Sequence, residues 1–336
     1  MTPDASTPPD EVETLARERA SARVSHDFAR ADLLKASIEA AGWRVTDRGT
    51  AYRLEPAAPP TIEAVGVVRH GSAETVPSLL DEPASERFTV LLVADERPDD
   101  LARILDGLRA HAPGGTQVVI VANDPSPDQA GRLVQGTPDL APVAGAEPEL
   151  VWTSARLGHA VALNAGLRRA RGEVIVLADA DVEVAGDALT SLAAALADPS
   201  VAVAGGFGLA GTDLRHLADA AGPDVDAIDG RWLAFRRSEV ARLGPLDEKF
   251  IVERWLDTWW SLVLRAGPDP DADELPRRAV RIDLPLVIHE RAAADSPHVA
   301  DSPAPAERDR LARRNFYRVL ERFRGRADLL SGSTGR

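Results

Sequence analysis

Two aspartates one residue apart, Asp179 and Asp181, follow the apolar run Glu173 to Ala178. Carboxylates that close a buried strand are costly unless paired or coordinated, and no Lys or Arg follows Leu177 closely enough in the chain to neutralise them. Side chains two apart in an extended chain share a face with a rise of about 6.6 Å, so both acids can turn toward one site. Hard oxygen ligands suit Mg²⁺ or Mn²⁺, which commonly bridge protein carboxylates to phosphates; the alternative is that the pair caps the following turn. The chain has no cysteine, so thiolate nucleophiles and cysteine-held zinc or iron–sulfur sites are excluded, and any metal is held by oxygen or imidazole. Acids finish two further apolar runs, with Asp95 and Glu96 after Val93 and Asp124 after Ala122. His289 ends the run Leu284 to Ile288, where it is either structural or, as neutral imidazole, a metal ligand.

These groups can act together only if the strands carrying them lie side by side. From Arg87 onward, strand-length apolar runs at 88–93, 117–122, 150–153, 173–178 and 201–207 alternate with helical patterns at 99–111, 158–171 and 187–197. Apolar runs without alternation fit strands covered on both faces, and strand–helix repetition specifies an α/β domain with a mostly parallel sheet between helices. Ligands of such sheets bind beyond the carboxyl ends of the strands, the edge where all three acidic groups fall.

Upstream, Asp10 to Leu54 reads as helical up to Gly42, a C-cap, followed by a small hairpin in which 43–45 and 52–54 flank Thr46 to Thr50. This 10–56 module ends in the proline-rich 56–60, and 57–86 is expected to be a linker before a domain over 87–290. Beyond it, 291–336 forms a polar loop and a helix from Ala306 to Arg324, with Leu311, Phe316, Val319, Leu320 and Phe323 on one face. Its arginines either lie on a membrane surface or are solvated while the helix packs back on the domain, and the Ala292 to Pro303 loop is a candidate acceptor lid.

The chain has 336 residues, 44% of them hydrophobic, and a formal net charge of -14. That length holds one large domain or two ordinary ones, and that charge repels nucleic acid, which is therefore not an expected partner. No apolar run of about 18 residues is present, so no spanning helix is expected. Met1 to Asp10 has neither a basic start nor an apolar stretch, so the expected location is cytoplasmic, with membrane-peripheral contact as the variant.

Two stretches resemble known families. Leu163 to Val184, LNAGLRRARGEVIVLADADVEV, resembles the central segment of family 2 type glycosyltransferases of the GT-A fold. The likeness continues through Ile228 to Arg237, through Leu243 to Phe250, and through Trp255 to Arg265 in the place of an acceptor-side helix. Several motifs in order, over roughly Arg87 to Glu290, are more specific than any one of them. Separately, the N-terminal stretch containing DFARADLLKASIEAAGWRVTDRG resembles the small C-terminal helical segment of cysteinyl-tRNA synthetases. Nothing of that enzyme's catalytic domain is present, so the stretch is read as an appended packing or docking module, with a surviving RNA contact as the alternative.

The first resemblance implies a GT-A-like nucleotide-diphospho-sugar transferase fold and metal-dependent transfer of one sugar, with inversion, from a nucleotide-sugar to a carbohydrate, lipid or other hydroxyl acceptor. It implies that Asp181 binds Mn²⁺ or Mg²⁺, that Asp179 contacts the metal shell or the donor ribose, and that His289 supplies a third ligand. Asp95 and Asp124 fall where the family reads the nucleoside, Arg156 could reach diphosphate oxygens, and Asn164 caps and packs near the donor. Asp257 is the candidate general base, since inversion needs a carboxylate opposite the leaving group; otherwise it caps its helix, pairs with Arg254, or only positions the acceptor. Four of six tryptophans, Trp232, Trp255, Trp259 and Trp260, lie on the acceptor side. They either pack or stack on a ligand, and Trp232 beside Gly230 is the one expected to line the pocket. A sugar-nucleotide nucleotidyltransferase and a catalytically degenerate GT-A fold that binds a partner are the alternatives; the first expects a glycine-rich loop where Ala94 to Pro98 stands.

Overall fold

The N-terminal helical pattern forms two helices, α1 (Asp10–Val24) and α2 (Phe28–Ala40), in the computed structural model, which describes residues 8–48, 51–64, 66–94, 97–134, 136–268, 275–289 and 304–330. The break comes at His26, whose φ of 62° is left-handed, and at Asp27, whose carboxylate accepts the Arg30 N–H at 3.1 Å as an N-cap. After Gly42, at φ 78°, β1 (Trp43–Arg48) pairs antiparallel with β2 (Ala51–Pro56), Trp43 opposite Pro56. Val12, Ala16, Ile38, Trp43 and Val45 form the core of this part. Arg19 ties α1 to β1 with a two-pronged contact to Asp47 at 2.7 and 3.0 Å, which holds the Asp47 carboxyl below its ordinary range.

The stretch expected as a linker carries structure. β3 (Ile62–Ala64) and β4 (Val67–His70) form an antiparallel hairpin. The chain divides into two units, Met1–Ser72 and Ala73–Arg336. Residues after Ser72 belong to the second: Arg168 donates to the Val76 carbonyl at 2.6 Å and Arg237 to that of Glu82 at 2.9 Å.

In the second unit the elements run β5 (Glu86–Ala94), α3 (Pro98–His111), β6 (Thr116–Ala122), α4 (Pro127–Arg132), β7 (Glu149–Thr153), α5 (His159–Leu167), β8 (Gly172–Ala178), β9 (Val182–Val184), α6 (Thr190–Leu196) and β10 (Val201–Gly205). There follow β11 (Gly208–Gly211), β12 (Leu217–Ala220), β13 (Asp224–Val225), β14 (Ala227–Ile228), β15 (Trp232–Arg236), α7 (Ser238–Leu243), α8 (Leu256–Ala266), β16 (Arg278–Arg281), β17 (Leu286–Ile288) and α9 (Pro305–Arg322). Within this unit the large sheet has the order β13-β16-β10-β15-β8-β5-β6-β7. β8, β5, β6 and β7 are parallel, as the apolar runs required, whereas β15 enters antiparallel between β8 and β10. β11 pairs with β12 and β14 in a small sheet, and β9 pairs with β17.

Alternation along β5 divides the core. Phe88, Val90 and Leu92 pack with Ile104, Leu105 and Leu108 of α3, while Leu91 packs on the other face with Ala162 and Ala165 of α5 and with α8. Gly166 lets α5 lie against the sheet, for a Cβ there would run into the Leu91 side chain. Val319 and Phe323 bring the C-terminal helix onto the same face as α8.

Candidate active site

The carboxyl ends of β5, β6 and β8 open on one cavity of about 780 Å³, to which they contribute Ala94, Asn123 and Asp179. Asp229, Gly230 and the first turn of α8 with Asp257 line the same cavity. The cavity lies at the strand ends that a parallel sheet reserves for ligands.

Asp179 is fixed by its backbone: its N–H donates to the Arg231 carbonyl at 3.0 Å, and its Oδ1 accepts the Asp181 N–H at 3.3 Å. Asp181, half-buried, begins the short ladder of β9 with β17. That ladder brings in His289, more than a hundred residues on, whose N–H donates to the Asp181 carbonyl at 2.9 Å. The imidazole itself engages Glu183, with Nε2 2.7 Å from Oε2. Among the described residues no group of three or more His, Asp or Glu side chains converges as a metal cage. A divalent ion can nonetheless be held by one or two carboxylates, its shell completed by phosphate oxygens and water.

Asp257 is held in a fixed orientation. Its Oδ2 accepts the Gly230 N–H at 3.0 Å and its Oδ1 accepts the Thr258 N–H at 2.7 Å. A Cβ at residue 230 would lie 3.2 Å from the Asp257 Cβ, so the glycine permits this approach. Burial, with Asp229 as the next cause, pushes the Asp257 carboxyl up to about 6 even though both N–H donors favour its charge. Asp229 is raised as well, chiefly by burial, although Arg231 donates its N–H at 2.9 Å and sets its guanidinium 3.6 Å away. Just before α8, Trp255 adopts φ 74°, an unusual conformation for a bulky residue. Its indole packs on Phe316 of α9 with ring centres 5.0 Å apart.

Several expected positions fall elsewhere. Trp232 is fully buried: alternation along β15 sends Trp232 and Ala234 into the α3 side of the core and Leu233 and Phe235 into the other. Trp255 and Trp260 line the cavity instead. The Asn164 amide is committed within the protein, donating to the Leu246 carbonyl at 2.9 Å and Glu248 at 3.1 Å and accepting the Leu246 N–H at 3.0 Å. It therefore braces the turn after α7 and does not offer its amide to a donor. Asp124, at φ 50° with its N–H on Thr153 Oγ1 at 2.9 Å, is not among the cavity-lining residues; its neighbour Asn123 is. Gly230, Arg156 and Asp179 do line the cavity, whereas Asp181 and His289 are not among its lining residues. Asp95, Glu96 and the 292–303 loop lie outside the described residues.

Other residues of the site were not singled out by the sequence. Asn123 clamps the loop bearing Arg156, donating to the Leu157 carbonyl at 3.1 Å and accepting its N–H at 2.8 Å. Its signal was an amide in the same post-strand position as the acids. Asp229 stood unremarked beside Gly230. Glu253 and Arg308, paired at 2.7 Å, also line the cavity. They are 55 residues apart, and no local spacing connects them. Despite burial that opposes its charge, Glu253 is held below the ordinary range by the Arg308 guanidinium.

Residues 89–222 match the model of the family described as glycosyl transferase family 2. A crystal structure of GalNAc-T7 with UDP, GalNAc and Mn²⁺ superposes with a TM-score of 0.51 at 14% identity, covering 70% of this chain and 48% of that one. The mannosyltransferase PcManGT from Pyrobaculum calidifontis, in complex with GDP-Man and Mn²⁺, gives a TM-score of 0.43 at 23% identity over 62% of this chain and 59% of its own. This chain thus spans less than two thirds of either protein. The N-terminal stretch is similar to a cysteine–tRNA ligase of Opitutus terrae, 51% identical over 49 residues, which is 15% of this chain and 11% of that ligase. The architecture of the second unit is the GT-A glycosyltransferase fold.

Proposed function

We propose that this protein transfers a single sugar from a nucleotide-sugar to a hydroxyl acceptor, inverting the anomeric centre. The observation that carries this reading is one cavity lined both by Asp179 at a strand end and by Asp257, whose carboxylate the Gly230 and Thr258 N–H groups orient and which burial pushes up to about 6. A base poised slightly below neutral is ionised at working pH yet still able to take a proton. The family match over 89–222, and a fold neighbour crystallised with UDP and Mn²⁺, support the donor class and the metal.

In this reading Asp181 and Asp179 hold Mn²⁺ or Mg²⁺, with His289 at the adjoining ladder available once its ring leaves Glu183. When bound, the ion supplies positive charge to the departing diphosphate. Arg156 binds diphosphate oxygens, and Asn123 holds its loop in place. Asp257 orients the acceptor hydroxyl and takes its proton, while Gly230 and Thr258 keep the carboxylate aimed. Trp255, partly exposed at the cavity, offers flat apolar surface to a ring.

The test is a thermal-shift titration with UDP, GDP, dTDP and NAD, each with and without Mn²⁺. A nucleoside diphosphate should stabilise the protein more strongly with Mn²⁺, NAD should not, and Asp181→Ala should abolish the metal-dependent part. Equal shifts with and without metal, or a shift with none of the diphosphates, would overturn the proposal.

A further inference from the structure

Among the described residues, five arginines line the cavity: Arg97, Arg156, Arg231, Arg254 and Arg308. Three of these cations have carboxylate partners: Arg231 with Asp229 at 3.6 Å, Arg308 with Glu253 at 2.7 Å and Arg97 with Asp100 at 3.8 Å. Arg254 differs from them. It is exposed at the cavity three residues before Asp257, and among the described residues its guanidinium makes no ion pair.

Its backbone, by contrast, is firmly held. The buried Asn315 of α9 donates to the carbonyls of Val252 and Arg254 at 3.1 and 3.0 Å. The Leu256 N–H donates to the Glu253 carbonyl at 3.0 Å, and the left-handed Trp255 is packed on Phe316. The fold thus spends a buried amide and an unusual backbone conformation to fix the root of a charged side chain in the segment leading into Asp257. A guanidinium forks onto carboxylate or phosphate oxygens. In a chain of net charge -14, an anionic substrate meets long-range repulsion that only a local cation can offset. Arg97 and Arg156 lie in the segments that follow β5 and β7, whereas Arg254 lies in the segment that leads into Asp257.

Resting on the glycosyltransferase reading, we propose that the acceptor bears an oxyanion, carboxylate or phosphate, which Arg254 binds while the hydroxyl faces Asp257. In the transfer, the hydroxyl oxygen bonds to the anomeric carbon and the bond from that carbon to the diphosphate oxygen breaks. The hydroxyl proton goes to Asp257, and the bonding pair leaves with the nucleoside diphosphate.

The probes are inorganic phosphate and acetate, titrated calorimetrically into protein already saturated with Mn²⁺ and whichever of UDP, GDP or dTDP binds. With the donor end filled, one anion site should remain. Arg254→Gln should weaken it at least tenfold, Arg254→Lys less, and Arg310→Gln, a charge change at the exposed Glu307 pair, not at all. Tighter phosphate than acetate assigns a phosphorylated acceptor, and the reverse a carboxylate. The proposal is overturned if neither anion binds beside the nucleotide, if Arg254→Gln binds as well as wild type, or if Arg310→Gln weakens binding equally. It is also overturned if Arg254→Gln weakens the nucleoside diphosphate as much as the anion, which would assign Arg254 to the donor. Failure of every nucleoside diphosphate to bind in the first step marks the glycosyltransferase reading as the error, and the anionic acceptor falls with it.

Discussion

The two walls of the cavity are built on different principles. The Asp179 side is mostly local: a parallel strand ends in a turn closed by the Asp181 and Val182 N–H groups on Asp179, with one tie outside it, the Asp179 N–H on the Arg231 carbonyl at 3.0 Å. The Asp257 wall is assembled from segments far apart in sequence, namely the 229–231 turn, the 252–257 entry to α8 and the first turns of α9. A wall made from one strand end tolerates change elsewhere, whereas one clamped from three directions depends on each clamp. The teaching is that donor binding and acceptor activation should separate under mutation.

The largest separation is expected from Asp257→Asn. Removing the base should lower transfer about 10²- to 10⁴-fold while leaving Mn²⁺-dependent nucleotide affinity within a few-fold, as read by steady-state kinetics beside calorimetry. A parallel loss of nucleotide binding would show that the walls act as one unit. A milder effect is expected from Asn315→Ala, which strips the Val252 and Arg254 carbonyls of their donor and costs about 1–3 kcal/mol where the carbonyl is left buried and unsatisfied. The melting temperature should fall and KM for acceptor should rise more than KM for donor. Equal rises in the two would refute the assignment of α9 to the acceptor wall.

Legibility in the sequence follows the same division. The strands at 88–93, 117–122 and 173–178 were readable because residues covered on both faces are apolar without alternation, and β6 is buried along its whole length. Asp179 was readable because its place depends mainly on where β8 stops. Trp232 was misplaced because its face depends on where β15 enters the sheet: opposite Ala178 and antiparallel to β8, its indole goes to the core. The partners of Asn164, Leu246 and Glu248, were unreadable for a related reason, since they lie more than eighty residues away. The pairing of Glu253 with Arg308 and the clamp from Asn315 have no spacing signature, because they exist only once α9 has folded back. The linker expected over 57–86 failed where β3 and β4 pair, since strands of three and four residues are too short to show a period.

The smallest effect is the most specific to the acceptor wall. Because Asp257 must be ionised to take a proton, transfer should rise with pH through about 6 and level off above it. Asp229 is the second cause of that raised value, after burial, so Asp229→Asn should lower it only in part. The Arg231 guanidinium, relieved of its acidic neighbour, would act in the same direction. The variant's rising limb should therefore move to lower pH, and the ratio of its rate at pH 5.5 to its own plateau should exceed the wild-type ratio. Normalising each enzyme to its own plateau removes any general loss from altering a cavity residue. A limb that stays in place would mean that burial alone sets the Asp257 pKa, and one that moves upward would mean that another group supplies the base. Neither result would touch the metal-dependent nucleotide shift assigned to Asp179 and Asp181, so the two walls remain separable even where this detail of one of them fails.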